Sequence, residues 1–233
     1  MRPILDHSPD IVLWDAVQVT TLLLDVDGTL IDSMPGIRAG LLHALDSVDW
    51  QHPDEKFLRR IAGPPMEETL RGLGLPEELV RKAFRTYMDY TRDGGWANAT
   101  AFPHMLDLVS TWDREDFRLI TATSKGEGFA RAILEREGFL DHFEFLGAAE
   151  EDGARRTKQA VIQYVFDNVN LEGEEILMVG DRHHDIEGAA HFGVDTAAVT
   201  WGYGEQAEWD TAQYIAHSPA ELDKIVRNIH AAY

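Results

Sequence analysis

The stretch that decides the fold lies near the N-terminus, where residues 19–29 read Val-Thr-Thr-Leu-Leu-Leu-Asp-Val-Asp-Gly-Thr. The first six residues are apolar or β-branched, a composition typical of a buried strand. The strand ends abruptly at Asp25, and Asp27 follows in an Asp-Gly turn. Two carboxylates at i and i+2 point the same way along the chain, and they repel each other unless a cation binds them or one is protonated. This stretch therefore predicts a buried strand that delivers two acids to a hard divalent cation, Mg²⁺.

Three further β-rich runs follow along the chain, at residues 117–121, 175–179 and 196–200. Helical patterns alternate with them, at residues 105–112, 128–137, 158–168 and 186–192. Strands and helices that alternate in this way predict an α/β fold, with a Rossmann-like parallel sheet covered on both faces. In that architecture ligands bind at the carboxyl ends of the strands, where polar residues follow each of these runs.

Residues 34–99 break the alternation, because apolar residues recur there at helical spacing and the turns Gly-Pro-Pro (63–65) and Gly-Leu-Gly (72–74) separate them. We predict a small all-helical domain inserted into the α/β domain, with hinges near 33–36 and 94–102. The predicted division is a core domain of residues 1–33 and 101–233 and a helical domain of residues 34–100. Residues 1–18 form an N-terminal extension to which the sequence assigns no role.

The composition limits the partners of the chain. Its 233 residues include 21 Lys and Arg against 41 Asp and Glu, a formal net charge of −20. Nucleic acid polymers and anionic membrane surfaces are bound chiefly through basic patches, so neither is expected as a partner. Cysteine is absent, which fits a cytoplasmic protein and excludes thiolate nucleophiles and Cys-based zinc sites. We found no apolar stretch long enough to span a bilayer and no pattern of a signal peptide.

A second acid pair follows the third predicted strand, where residues 180–185 read Gly-Asp-Arg-His-His-Asp. If Asp185 begins the next helix as its N-cap, Asp181 and Asp185 can both face the site, the first as a direct metal ligand and the second through water or through hydrogen bonds to the ligands. The neighbouring His183 and His184 lack the i, i+4 spacing of a zinc site, and we expect them to be exposed loop residues.

Three further polar residues are candidates for binding an anion. Thr123 and Ser124 follow the second strand and can present hydroxyl and backbone N–H groups to phosphate oxygens, although such residues often only cap the next helix. Lys158 opens a predicted helix. A single lysine there is usually a solvated surface charge, but beside several carboxylates and a phosphate it becomes the counter-ion.

Taken together, these motifs resemble a known family. Residues 25–30, Thr123, Lys158 and residues 180–185 look like the four motifs of the haloacid dehalogenase-like hydrolase superfamily, in order and with suitable spacing. The resemblance covers the chain from about Thr20 onward. It implies the fold described above and the chemistry of a phosphatase.

The helical insertion resembles the cap of the phosphoglycolate phosphatase-like branch of that superfamily. Residues 63–65, 153–158 and 201–204 look most like its phosphoglycolate phosphatase and 5'-nucleotidase-like members. One departure is Pro-His at 103–104, where the family pattern commonly has Pro-Gly. It affects the local turn geometry only.

The resemblance implies a role for each matched residue in the reaction. Asp25 is the nucleophile that forms an aspartyl-phosphate, and Asp27 protonates the leaving oxygen and then activates water. Lys158 and Thr123, with Ser124 beside them, bind the phosphate oxygens.

The resemblance also implies the cofactor and a cap. Mg²⁺ is held by Asp25, Asp181 and the backbone carbonyl of Asp27, with Asp185 in support. The cap closes over the site, and the candidates that read the leaving group are Arg59, Arg60 and the loop from Gly63 to Met66.

The leading hypothesis is a Mg²⁺-dependent phosphatase, phosphoglycolate phosphatase-like, which acts on a small anionic phosphomonoester as a monomer or homodimer. A 5'-nucleotidase and a sugar-phosphate mutase are alternatives within the superfamily. A phosphonate hydrolase would need Lys56 or Lys82 for a Schiff base. A non-catalytic binding protein is the alternative of a different class, and the intact acids disfavour it.

Overall fold

The computed structural model describes residues 20–115, 117–151 and 153–231, and its core is a six-stranded, all-parallel sheet. The strands are β1 (Thr20–Leu24), β4 (Arg118–Gly126), β5 (Phe145–Ala149), β6 (Glu175–Gly180), β7 (Asp195–Val199) and β8 (Tyr214–Ala216). Their spatial order is β5–β4–β1–β6–β7–β8, so the chain builds outward from β1 in one direction and then in the other. The switch point of the sheet therefore lies at β1, where a ligand site is expected.

The sheet buries both of its faces, as the run of leucines in β1 predicts. Leu22 and Leu24 pack in one hydrophobic cluster and Leu23 in another, because successive side chains of a strand point to opposite faces. Helices cover the two faces: α5 (Met105–Arg114), α6 (Glu127–Arg136), α7 (Lys158–Asn168), α8 (His183–Ala190) and α10 (Pro219–Ala231). A short helix α9 (Gln206–Trp209) lies between β7 and β8 in the chain. The predicted α/β fold with a Rossmann-like sheet is confirmed.

A helical segment, which we define as residues 34–97, lies in the chain between β1 and the next strand of the sheet, β4. It consists of α1 (Met34–Asp46), α2 (Glu55–Leu58), α3 (Met66–Gly72), α4 (Glu77–Arg92) and a 3₁₀ turn (Gly95–Ala97). Its buried apolar residues form a hydrophobic cluster separate from those of the sheet. The two chain passages at its ends pair as a short antiparallel ribbon of β2 (Ile31–Asp32) and β3 (Thr100–Ala101). The division into two domains at 33/34 and 100/101 stays a prediction.

Several elements differ from the sequence prediction. Strands β5 and β8 and helix α10 were not predicted; β5 reads Phe-Leu-Gly-Ala-Ala, which has no β-branched residue. Strand β4 runs past the predicted end to Gly126, with a register shift between Thr123 and Gly126. The predicted extension of residues 1–18 lies outside the described residues.

The departure at Pro-His has a visible consequence. His104 adopts a left-handed backbone conformation, with φ of 68°, immediately before α5. Glycine adopts that conformation without steric strain, which explains why the family pattern has glycine there.

Among the described residues, no helix combines the length and the apolar character needed to cross a membrane.

Candidate active site

Three buried carboxylates converge where β1 and β6 end. The Asp25 N–H donates to the carbonyl of Val179, so the residue after β1 sits beside the end of β6. One carboxylate oxygen each from Asp25, Asp181 and Asp185 lies within 4.8 Å of the others, and all three residues are buried. Three acids packed this closely need a cation, because each ionised carboxylate raises the energy of the next.

Lys158 supplies one positive charge to this group. Its ammonium lies 2.8 Å from the Oδ1 atom of Asp25 and 2.7 Å from the Oδ1 atom of Asp185. It also donates a hydrogen bond to the carbonyl of Ala122 at 2.5 Å. Three oxygen atoms, two from carboxylates and one from a backbone carbonyl, lie around the ammonium. The lysine is therefore a buried counter-ion and not a solvated surface charge.

Burial and mutual repulsion raise the pKa values of two of the acids. Burial raises the pKa of Asp25 to about 6, against the pull of the Lys158 ammonium. The pKa of Asp181 is held well above its usual range, chiefly by burial and then by the nearby carboxylates of Asp185 and Asp25. Burial alone would lower the pKa of Lys158, but Asp185 and Asp25 outweigh it and raise that pKa. One lysine does not neutralise three ionised carboxylates, so this cluster could also hold a metal ion.

The surroundings of Asp181 fit a metal ion. Its Oδ2 atom accepts a hydrogen bond from the Tyr203 N–H at 2.5 Å, whereas its Oδ1 atom is buried and makes no hydrogen bond with any described residue. Gly28, with φ of 88°, and Gly202 face this carboxylate, and a Cβ on either glycine would collide with it. A buried carboxylate oxygen without a hydrogen-bond partner, beside two other acids, is a suitable ligand for a hard cation that prefers oxygen.

Asp185 holds the start of α8 in place, but not as the predicted N-cap. The helix begins at His183 with Arg182 as its N-cap, so Asp185 occupies the third helical position. Its Oδ2 atom accepts the backbone N–H groups of Asp181 at 3.1 Å and Arg182 at 3.0 Å. An acid at this position satisfies N–H groups that have no partner inside the helix. The same carboxylate thus orients the neighbouring acid and faces Lys158.

Asp27 has a cationic partner of its own, Lys125, which the sequence analysis missed. The Lys125 ammonium lies 3.0 Å from the Oδ1 atom and 3.1 Å from the Oδ2 atom of Asp27. The Ser33 hydroxyl donates to the Oδ1 atom as well. Lys125 is near the end of the extended β4, and its side chain is mostly buried. Two neighbouring acids of one turn therefore have separate lysine partners.

A cavity of about 170 Å³ opens above these acids, between the sheet and the helical segment. The predicted site residues that line it are Asp25, Asp27, Gly63, Ser124, Lys158 and Asp185. Thr123 does not line it: the residue is buried, and its hydroxyl oxygen accepts the Lys125 N–H at 3.2 Å. Asp181 is fully buried and does not line the cavity either.

Arg60 lies away from the cavity, in contrast to the predicted contact with the substrate. Its guanidinium binds the carboxylate of Glu205 across the boundary between the helical segment and the sheet. Both side chains are about half exposed. Arg59 does not line the cavity, whereas the predicted loop from Gly63 to Met66 does. Gly63 has φ of 107°, which lets the loop approach the Arg182 side chain.

The expectation for the two histidines is wrong. His183 and His184 are partly buried in the first turn of α8, with ring centroids 3.8 Å apart. The Nδ1 atom of His183 lies 2.7 Å from Glu208, and His184 lines the cavity. Burial, followed by the neighbouring cations, lowers the pKa of His184, so this ring is neutral at neutral pH.

Comparisons with known proteins agree with this geometry. The family described as "Haloacid dehalogenase-like hydrolase" matches residues 22–199. The tyrosine-protein kinase PtkA of Mycobacterium tuberculosis is 37% identical, over 88% of this chain and 70% of that protein. A 5'-nucleotidase of Pseudomonas aeruginosa is 32% identical, over 83% of this chain and 88% of that protein. The crystal structure of a predicted phosphatase from Clostridium acetobutylicum superposes with a TM-score of 0.83 at 30% identity, over 91% of this chain and all of that one.

Proposed function

Because the chain belongs to the haloacid dehalogenase-like hydrolase family and is a phosphatase of that family, we propose that it hydrolyses a small phosphomonoester through a covalent phosphoryl group on Asp25. The observation that carries this proposal is that Asp25 and Asp27, two acids of one turn, have different lysine partners. Asp25 faces Lys158 among the buried acids, and Asp27 lies in the same cavity under Lys125. A nucleophile and an acid–base group in distinct environments are what a two-step displacement needs.

In the first step, an Asp25 carboxylate oxygen attacks phosphorus while the ester bond breaks. Asp27 gives a proton to the departing alkoxide, which leaves as the free alcohol. In the second step, Asp27 removes a proton from water as that water attacks phosphorus. Inorganic phosphate leaves and Asp25 is regenerated, so one ester and one water become one alcohol and one phosphate.

Lys158 acts by charge in both steps. Its ammonium holds the nucleophile and stabilises charge on the phosphoryl oxygens, the main source of acceleration in phosphoryl transfer. A divalent cation held by Asp25, Asp181 and Asp185 would neutralise the phosphate and orient it; its donor set favours Mg²⁺. The helical segment over the cavity would act as the cap, which keeps bulk water away from the phosphoryl group.

The proposal is tested by the release of phosphate from a panel of monoesters, with and without a chelator. We expect steady release from single monoesters, loss of release when the metal is chelated, and its return when Mg²⁺ is added back. A requirement for a sugar bisphosphate would show the mutase instead. No release from any ester in the panel with Mg²⁺ present would contradict the proposal.

Transfer of phosphate to tyrosine is the second candidate function, since a 37% identical relative is named a tyrosine-protein kinase. In that case a phenolic oxygen replaces water in the second step. Incubation with labelled ATP and a tyrosine-containing acceptor separates the two functions. Label found on tyrosine favours the kinase, and label found only in free phosphate favours the phosphatase.

Lys125 provides a first prediction about the roles of single residues. We expect Lys125→Met to lower kcat about tenfold while KM changes less, because Asp27 loses the charge that holds both of its oxygens. Lys125→Arg should restore part of the activity. The control is Lys82→Met, an exposed lysine of α4. An unchanged kcat and an unchanged pH–rate profile in Lys125→Met would show that the lysine does not position Asp27.

The raised pKa of Asp25 provides a second prediction, on stability. A carboxyl whose pKa is about 6 in the folded chain and near 3.8 otherwise stabilises the metal-free fold at low pH. That stabilisation is lost as the pH rises through about 6. Mg²⁺ must compete with these protons, so we expect it to raise Tm more at pH 8 than at pH 5. Equal Tm shifts at the two pH values would contradict the prediction, and Asp25→Asn should flatten the difference.

A further inference from the structure

Part of the cavity wall is apolar. The helical segment contributes Ile37 from α1 and Phe84, Tyr87 and Met88 from α4, and the core contributes Phe129 from α6. All five side chains are partly buried. The leaving group of a phosphate ester on Asp25 therefore has aromatic and aliphatic side chains to contact within the same cavity.

Every cationic side chain that lines the cavity already has an anionic partner in the described part of the chain. The pairs are Lys125 with Asp27, Lys158 with Asp25 and Asp185, Arg156 with Glu67, and Arg182 with Glu208. The site would have to break one of these pairs to bind a second anion of the substrate. Such a rearrangement leaves a partly buried carboxylate without its counter-ion, which is unfavourable.

The mouth of the cavity adds negative charge. Glu150 and Glu151 both line it. The Glu150 side chain accepts a hydrogen bond from the Arg155 N–H at 3.3 Å, and neither glutamate forms an ion pair with a described residue. Carboxylates at the mouth repel a leaving group that carries a carboxylate of its own.

We propose that the site takes phosphomonoesters whose leaving group is an uncharged alcohol that bears an aromatic ring, in preference to short acidic ones such as phosphoglycolate. This inference rests on the proposed function and specifies its substrate class. Offset stacking on Phe84 or Phe129 then supplies affinity without charge.

The test compares esters whose leaving alcohols have similar reactivity. We expect kcat/KM for benzyl phosphate to exceed the values for propyl phosphate and phosphoglycolate by at least about tenfold. Adenosine 5'-monophosphate and phenyl phosphate, as further substrates, distinguish a nucleoside from a phenolic source of the ring. A value for phosphoglycolate equal to or above that for benzyl phosphate would overturn the inference.

Variants of the apolar wall make the test specific. Phe84→Ala and Phe129→Ala should each reduce the ratio of kcat/KM for benzyl phosphate over propyl phosphate by about tenfold. Phe57→Ala, which removes an aromatic side chain elsewhere in the helical segment, should leave that ratio unchanged. Unchanged ratios in folded Phe84→Ala and Phe129→Ala would refute the ring site. Hydrolysis of all esters without ring preference rejects only this inference, whereas no hydrolysis of any ester rejects the proposed function.

Discussion

Replacing Asp25 by Asn is expected to reduce phosphate release by about 10,000-fold or more, because the amide cannot form the covalent bond to phosphorus. The fold should survive the change. Asn has nearly the same shape, and burial already disfavours the charge of this carboxyl, as its pKa of about 6 indicates. Lys158 keeps its contact with Asp185 at 2.7 Å. The loss should therefore appear in kcat, without a fall in the Tm of the metal-free protein.

The control for this variant is Asp107→Asn, an exposed acid in the first turn of α5. It should retain full activity. Measurable turnover by Asp25→Asn with the same chelator sensitivity, in protein free of deamidated Asp, would show that another group is the nucleophile.

Replacing Lys158 by Met is expected to impair both activity and stability. The variant leaves three buried carboxylates without their lysine, and breaking a buried ion pair in this way costs about 3 to 5 kcal/mol. Phosphate release should also fall about 100- to 1000-fold, since the charge that stabilises the phosphoryl oxygens is gone. Urea unfolding of the metal-free protein at pH 8 measures the first effect and steady-state kinetics the second.

The lost stability and the lost activity of this variant should respond differently to acid and to Mg²⁺. Acidification or added Mg²⁺ should recover part of the lost stability, because each reduces the repulsion among the carboxylates. Neither should restore the activity. The control is Lys224→Met, an exposed lysine of α10. An unfolding free energy equal to that of the unchanged protein would mean that Lys158 is not the counter-ion of this cluster.

Local pattern was sufficient to predict the centre of the fold. Leu22, Leu23 and Leu24 indicate a strand buried on both faces, and the acids beyond such strands must meet at one edge of a parallel sheet. Asp25, Asp185 and Lys158 converge for that reason, although they are far apart in the sequence.

Contacts that depend on register and packing could not be predicted in the same way. Lys125 follows a strand end and reads as an ordinary surface charge; it reaches Asp27 because β4 continues to Gly126 with a shifted register. Arg60 pairs with Glu205, 145 residues away, so no local signal marks its partner. His184 is partly buried because α8 begins two residues before Asp185. The local sequence does not determine which of several neighbouring residues is the N-cap.

The direct test of the central claim is to trap the covalent phosphoryl group. The enzyme is mixed with excess benzyl phosphate and Mg²⁺, quenched in acid within the first turnover, and analysed by mass spectrometry of the intact chain and its peptides. We predict a fraction of the chain that carries one added phosphoryl group, located on Asp25 and absent in Asp25→Asn. Full turnover with no adduct at any quench time, or an adduct on a residue other than Asp25, would contradict the account.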